Sequence, residues 1–593
     1  MLALARLDAK QPAAALKQVE LFRNRYAKTA SAAAIRDIET IQAEALLETD
    51  KPAAAARLLK QLLAEHRDWS RREEAWLLLA RAQREAGATP AAIKAVKQCL
   101  EEFPKGPQAD LAWYRLGQLL QPDDTAAAMD AFAASVKAKP SGSLAAWSLL
   151  AIGWCHEAEG DLTAAEQAWS NLLTRFPEST AAASAILARG DVRQRLGEYA
   201  GGLADARQVL TAGSAMAARL DDAARGEARL LEGLCLLGLK RYAEAAESLR
   251  TLLGDTPKLP AADQVLLQLG IAESLGGDQA AANQTFKRLV EEFPQSPAAA
   301  DAWLQLGEAA YSAASWPAAA EAYQRAIAVA PELETALSLR EQAYHKLGWT
   351  RLVQDKPGLA AAAFAAQLQA APTGPLAADA RALRAQALAA NEQPEAALAA
   401  FKTALADPTQ LSSSELQAAS FIRAAEAAAA AEDWKESLAF AERLLALDPE
   451  SPQANAARYA AGWARQHLGQ LDQAAAAYRQ VAAADRSVLA ARARFMEGEV
   501  LFEQGQHKDA IKAFFKVAYG FGETDAPAAY QIWQAQATYE AARCFEVLRR
   551  TEQAEKLYAE VLERYPDCEQ APAARRRLEA LGLQQAPAGE VTQ

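Results

Sequence analysis

Residues able to do chemistry are few in this 593-residue chain, and they are dispersed. The five histidines, His66, His156, His345, His467 and His507, are too far apart in sequence to suggest a shared metal. Only Cys155 and His156 adjoin, and neighbours on a helix point about 100° apart, so they do not converge on one ion. The stretch Gly233 to Gly238, followed by Leu239 and Lys240, brushes a phosphate-binding loop. Its lysine comes one residue late, no Ser or Thr follows, and the surroundings read as helix, so a nucleotide is not expected there. Cys155, Cys235 and Cys544 each stand two residues after a glycine or alanine, and Cys99 takes another small slot. Thiols in such slots are expected to pack as small hydrophobes. Cys568, in a loop after Pro566, is the exception. Paired carboxylates are plentiful and are expected on solvated helix faces. No catalytic constellation, metal set or cofactor motif emerges, so the chemistry expected is recognition without catalysis.

Composition narrows the recognised partner. The net charge is −12 and the sequence pI is about 5.3. A non-specific nucleic-acid binder needs a basic surface to displace counterions, so that role is not expected. No run of 18 apolar residues exists, and the alanine-rich run 424–431 is broken by Glu426 and followed by Glu432 and Asp433, so no direct membrane span is predicted. Aromatics are 7% against 51% hydrophobic residues overall, which suits close-packed helices rather than a broad core.

The elements that carry these residues repeat. In 297–331, Trp303, Leu306, Gly307 and Ala310 fall at i, i+3, i+4 and i+7, one face of a helix. Ala319, Tyr323 and Ala326 mark one face of a second helix. Trp316 and Pro317 sit at the turn, where proline is tolerated, and Pro331 closes the unit. Gly307 and Ala319, both small, are expected to meet where the two helices approach. The same pattern recurs along the chain, as in Trp113, Leu116, Gly117, Phe132 and Pro140, or Leu347, Gly348, Ala360, Phe364 and Pro372. The unit around Gly190 is expected to have a weak second helix, because Gly201 and Gly202 cost helix stability. Units at 375–408 and 413–449 are degenerate.

This pattern, W-x-x-L-G, a later A-x-x-x-Y/F and a closing proline, resembles the tetratricopeptide repeat. The resemblance implies an all-α fold: a right-handed α-solenoid of about 14–15 stacked helix–turn–helix repeats. It would run continuously over 1–582, with looser joints near 211–226, 407–416 and 519–527, a capping helix at 569–582 that carries Arg575, Arg576 and Arg577, and a flexible tail, 583–593. Spacings of 36 or 37 between small positions exceed the family's usual 34, and the extra residues follow the closing proline. Ser179, Ser296 and Ser451 are the expected N-caps there. That F-P-x-S-x-x-A style resembles repeats of bacterial cell-envelope proteins, such as outer-membrane-assembly lipoproteins and the periplasmic coordinator of the Tol–Pal system. MLALARLDAK is too short and too charged to be read as a signal peptide. The first match begins part-way through a repeat, pointing to a fragment, a late-placed start or an atypical first helix.

The resemblance also implies where partners sit. First helices of such repeats line an inner, concave wall. Tyr114, Tyr459 and Tyr539 take a first groove slot, Trp154, Trp349 and Trp463 a middle one, and Tyr311 and Phe502 a last one. Large rings there would anchor an extended or helical peptide; alternatively they pack against the neighbouring repeat. Family versions that grip a C-terminal carboxylate use Lys, Arg and Asn on successive first helices. Here Asn24, Asn171, Asn283, Asn391 and Asn455 miss those slots, which leaves only an arginine-based variant open. The expected function is a non-catalytic protein–protein scaffold, in its finer form a cell-envelope assembly or coordination factor. The alternative is an interaction arm of a larger catalytic or signalling protein.

Overall fold

The computed structural model describes residues 2–26, 28–211, 221–256, 259–330, 337–521 and 527–585. The expected closers Pro257 and Pro331, most of the joints at 211–226 and 519–527, and the tail beyond 585 lie outside the described residues. Among the described residues there are thirty-one α-helices, one short 3-10 turn at Pro408–Gln410, and no strand. The helices form antiparallel pairs, each a first helix, a tight turn and a second helix, as in Pro297–Ser312 with Trp316–Val329. Contacts gather into two compact units, Met1–Thr285 and Phe286–Gln593.

Within each unit a first helix packs on its own second helix and also touches the first helix of the next pair. Ser143–Ala158 adjoins Ala182–Arg195, which adjoins Asp222–Gly238; in the second unit Ala454–His467 adjoins Val488–Glu503, which adjoins Ala528–Val547. The degenerate alanine-rich segments form pairs like the others, Ala377–Ala390 with Pro394–Ala404 and Ser414–Ala430 with Trp434–Leu447. Phe401, Phe421 and Phe440 are buried there and replace the missing signature residues. The last helix, Ala571–Gln585, buries Ala574 and Leu581 and exposes its three arginines, the polar outer face that the end of a stack needs.

In several first helices the small position makes room for a ring. A Cβ built on Gly153 would lie 2.2 Å from Trp169 Nε1, and Cβ atoms on Gly117, Gly307, Gly348 and Gly498 would lie 2.5 to 2.6 Å from the rings of Phe132, Tyr323, Phe364 and Phe514. The atoms nearest to Gly307 belong to the Tyr323 ring. In most pairs, though not in the one built on Gly117, the turn that follows holds one left-handed residue seven positions after the small one, such as Gly160 (φ 81°) or Lys240 (φ 60°). That residue turns the chain so that the next N–H closes back on the helix, as Arg241 N donates to Leu236 O at 2.9 Å.

The pair built on Gly190 is joined differently. Tyr199–Leu210 is a full helix despite Gly201 and Gly202. Its ring slot holds Ala206, so a Cβ on Gly202 would meet Gly190 O at 2.9 Å and Cys235 Sγ at 2.8 Å. Backbone-to-backbone approach thus replaces the glycine–ring contact. Polar groups reinforce it: buried Asp205 accepts from Arg189 Nε (3.0 Å), Arg189 Nη2 and Arg193 Nη1 (2.9 Å), and Arg193 Nη2 also donates to Glu166 at 2.6 Å.

Other carboxylates also depart from the solvated faces expected of them. Glu73 accepts from Gln108 N, Glu341 from Leu376 N and Asp379 from Ser412 N, each at 2.9 Å, and all three acids are buried. Each ties a first helix to the start of the next pair. Of the three expected serine caps, Ser296 alone caps its helix, accepting from Ala298 N at 3.0 Å. Ser451 accepts from Gln453 N ahead of a helix whose N-cap is Gln453, and Ser179 Oγ has no partner.

Candidate functional site

The eight ring positions share one helical line but not one environment. Relative to the small residue they stand at −3, +1 and +4. At 100° per residue the +1 slot lies about 100° from the small side chain's direction, the −3 slot about 60° and the +4 slot about 40°. The +1 slot is thus rotated farthest from the partner helix. Trp154 and Trp349 there are 41% and 39% exposed. The −3 tyrosines instead turn on the ring of their own second helix: Tyr114 on Phe132, Tyr459 on Tyr478 and Tyr539 on Tyr558, with centroids 5.5 to 5.7 Å apart. Tyr459 is buried, with the Arg492 guanidinium 4.8 Å from its ring centroid. At +4, Tyr311 meets Trp316 edge-on at 4.9 Å, and Phe502 lies beneath the Arg543 guanidinium at 5.1 Å. Trp463, although at +1, is half-buried and edge-on to Trp434, whose ring stacks flat on His467 at 3.7 Å.

Trp154 borders a cavity of about 460 Å³ on the first helices of three successive pairs. Leu187, Leu230 and Leu234 line it, with Asp191 and Glu227 among its polar residues. The indole and the leucines offer a desolvating surface with hydrogen-bonding capacity at its edge, the chemistry of a peptide anchor. In the second unit the Trp349 indole donates to His345 Nε2 at 3.2 Å, and His345 Nδ1 faces Gln367 Oε1 at 3.2 Å. Burial holds the His345 imidazole below its ordinary pKa, so Nε2 is free to accept from the indole.

The thiols sit as expected: Cys99, Cys155, Cys235 and Cys544 are buried and Cys568 is half-buried, all five free. Burial pushes Cys99, Cys235 and Cys544 up to about 12, which keeps them protonated and unreactive. Among the described residues no group of three His, Cys, Asp or Glu could hold a metal ion, and no helix is long and apolar enough to cross a membrane.

One acid on this line was not anticipated. Glu499, next after Gly498, is pushed up to about 7 by burial and by the neighbouring Glu540 carboxylate, with Arg543 pulling the other way and Glu503 adding slightly to the rise. Burial also raises Glu540, which accepts from Arg543 at 2.6 Å. Glu499 thus keeps a proton in the folded chain that it loses when unfolded between its ordinary 4.5 and about 7. Its effect on stability is absent below that window and becomes a full penalty above it. Local stability around Val488–Val547 is expected to fall by up to about 3 kcal/mol as pH rises from 4.5 to 7. Glu499→Gln should flatten that profile when amide exchange is followed against pH, and an unchanged slope would rule this assignment out.

Stacked pairs of helices whose touching first helices carry exposed rings form a class, the α-solenoid protein-binding repeats. Three models of the tetratricopeptide repeat match the sequence: one over 90–143, 187–260, 345–413 and 459–528, one over 46–114, and one over 147–179, 264–296 and 536–567. Together they span well over half of the chain, which belongs to the tetratricopeptide repeat family. Repeats of this family make protein–protein interaction scaffolds.

Among solved structures, the chain is similar to a tetratricopeptide repeat protein from Parabacteroides merdae, with 15% identity over 46% of this chain and 98% of that one, TM-score 0.33. It is similar also to PilW, a type IV pilus biogenesis factor, with 17% identity over 38% of this chain and 96% of that one, TM-score 0.30. The complex of Naa15/Naa10 bound to HypK-THB gives 15% identity over 99% of this chain and 97% of that one, TM-score 0.29. No curated protein matches the sequence.

Proposed function

We propose that the chain is a non-catalytic scaffold that holds protein partners on the walls its first helices make within each unit, with Trp154 the anchoring ring in one and Trp349 in the other. The observation that carries this reading is Trp154, 41% exposed beside a leucine-lined cavity. A large ring left in water at the rim of an apolar hollow gains most of its burial on binding, and such rings dominate interface energies. Joint replacement Trp154→Ala and Trp349→Ala is expected to weaken partner capture by tenfold or more while circular dichroism stays unchanged. Trp463→Ala, by contrast, removes the edge contact to Trp434 and is expected to lower stability as well. Undiminished capture by the double variant, with helicity intact, would sink the reading.

The finer form is an envelope assembly or coordination factor. The repeated F-P-x-S-x-x-A segments support it, as FPEST (176–180) and FPQSP (293–297) illustrate. Affinity capture from separated cytosolic and envelope fractions tests this: envelope proteins on the bait are expected, and native protein found only in the cytosol would overturn it.

A further inference from the structure

Between the first helices Arg72–Glu85 and Ala109–Leu120 lies a pocket of about 160 Å³, floored by Leu77, Leu78, Leu111 and Leu119. Arg81, Arg84 and Arg115 edge it. Arg81 is paired, donating to Glu85 at 2.8 Å and to Glu48 at 2.9 Å. Glu74, which also lines the pocket, is likewise committed, to Arg71 at 2.6 Å. Arg84 and Arg115 have no carboxylate partner among the described residues; Arg115 donates only to Gln118, at 3.0 Å. Both are exposed and line the same apolar hollow. Burial, then Arg84, lowers the Arg115 pKa, with Tyr114 acting the other way and Arg81 adding to the fall. In a chain with 75 acidic residues against 63 basic ones, two guanidinium groups without a carboxylate partner line one apolar pocket. Like charges on one pocket rim favour an acidic ligand.

We propose that this pocket receives an internal acidic side chain, Glu or Asp, of a partner peptide, whose adjacent leucine-like side chain fills the apolar floor. The guanidinium forks match a carboxylate bidentately, and the surrounding leucines exclude the water that would weaken the pair. This rests on the reading of the first-helix wall as the binding surface, and it adds the partner's chemistry.

The test is fluorescence anisotropy of the full chain with a short labelled peptide of leucine and glutamate, amidated at its C-terminus, against its leucine–lysine counterpart. The glutamate peptide is expected to bind, with affinity falling as salt rises, and the lysine peptide is not. Joint Arg84→Gln and Arg115→Gln should weaken binding by about tenfold or more, while the melting temperature stays level or rises because a repulsion is removed. No binding of the glutamate peptide, equal binding of the lysine peptide, a requirement for a free C-terminal carboxylate, or a melting temperature that falls with the affinity would each overturn the proposal. Binding that is lost with Trp154→Ala and Trp349→Ala but untouched by the arginine changes would leave the wall reading standing and overturn this one alone.

Discussion

Asp205→Ala is expected to remove about 3–5 kcal/mol from the pair Ala182–Leu210, the largest single-residue effect in the chain. Asp205 is 2% exposed and accepts three hydrogen bonds from Arg189 and Arg193, themselves largely covered. Deleting the acid leaves two guanidinium groups partly desolvated, with Glu166 and Ser170 their only other side-chain partners among the hydrogen bonds described. The penalty of an uncompensated charge exceeds what the ion pair contributed in the first place. Asp205→Asn retains shape and one acceptor and should lose less. Because a repeat array opens locally, the readout is amide exchange over 182–210 beside a distant reference pair. Equal protection in Asp205→Ala and the parent would show that the network holds nothing.

Gly153→Ala is expected to cost about 2–4 kcal/mol, more than any ordinary glycine-to-alanine change on a helix. One methyl group would sit 2.2 Å from Trp169 Nε1 and 2.4 Å from Cε2. The Trp169 ring is fully buried and donates to Leu150 O at 3.2 Å, so it cannot yield without giving up that bond. The gain in helix propensity, about 1 kcal/mol, opposes this and loses. Gly462→Ala is the graded control: its methyl would be 3.0 Å from Tyr478, and a much smaller effect is expected. Urea melts followed by tryptophan fluorescence check the order. A neutral Gly153→Ala would mean that the ring has room the geometry denies.

The paired helices and their ring slots were legible because amphipathic periodicity and the glycine–aromatic spacing are local. Tyr323, Phe364 and Tyr478 could each be placed from sequence alone. What faced those rings could not, since which residue lies nearest to Gly307 depends on how far the helices slide along each other. The groove slots blurred for a related reason. Tyr114, Trp154 and Tyr311 share a helical face by count, yet a rotation of a few tens of degrees separates a ring in water from one folded onto its own pair. Asp205 and Glu499 escaped entirely, because an acid on a helix looks solvated until its neighbours across the pair are known. Arg84 and Arg115 lie 31 positions apart and become a pair only through stacking. A signal was available for the turns: Gly87, Gly160, Gly197 and Gly277 stand seven residues after a small position.

Where those turns lack glycine, the same backbone conformation is held by other residues. Ala314, Asp355, Glu392 and Glu432 keep φ between 55° and 58° in four successive pairs of the second unit. A left-handed residue with a Cβ gives up roughly 1–2 kcal/mol relative to its relaxed form. Under tension applied at the ends of that unit, turns of this kind, Arg549 (φ 56°) among them, are expected to yield before the glycine-held turns at Gly469 and Gly505.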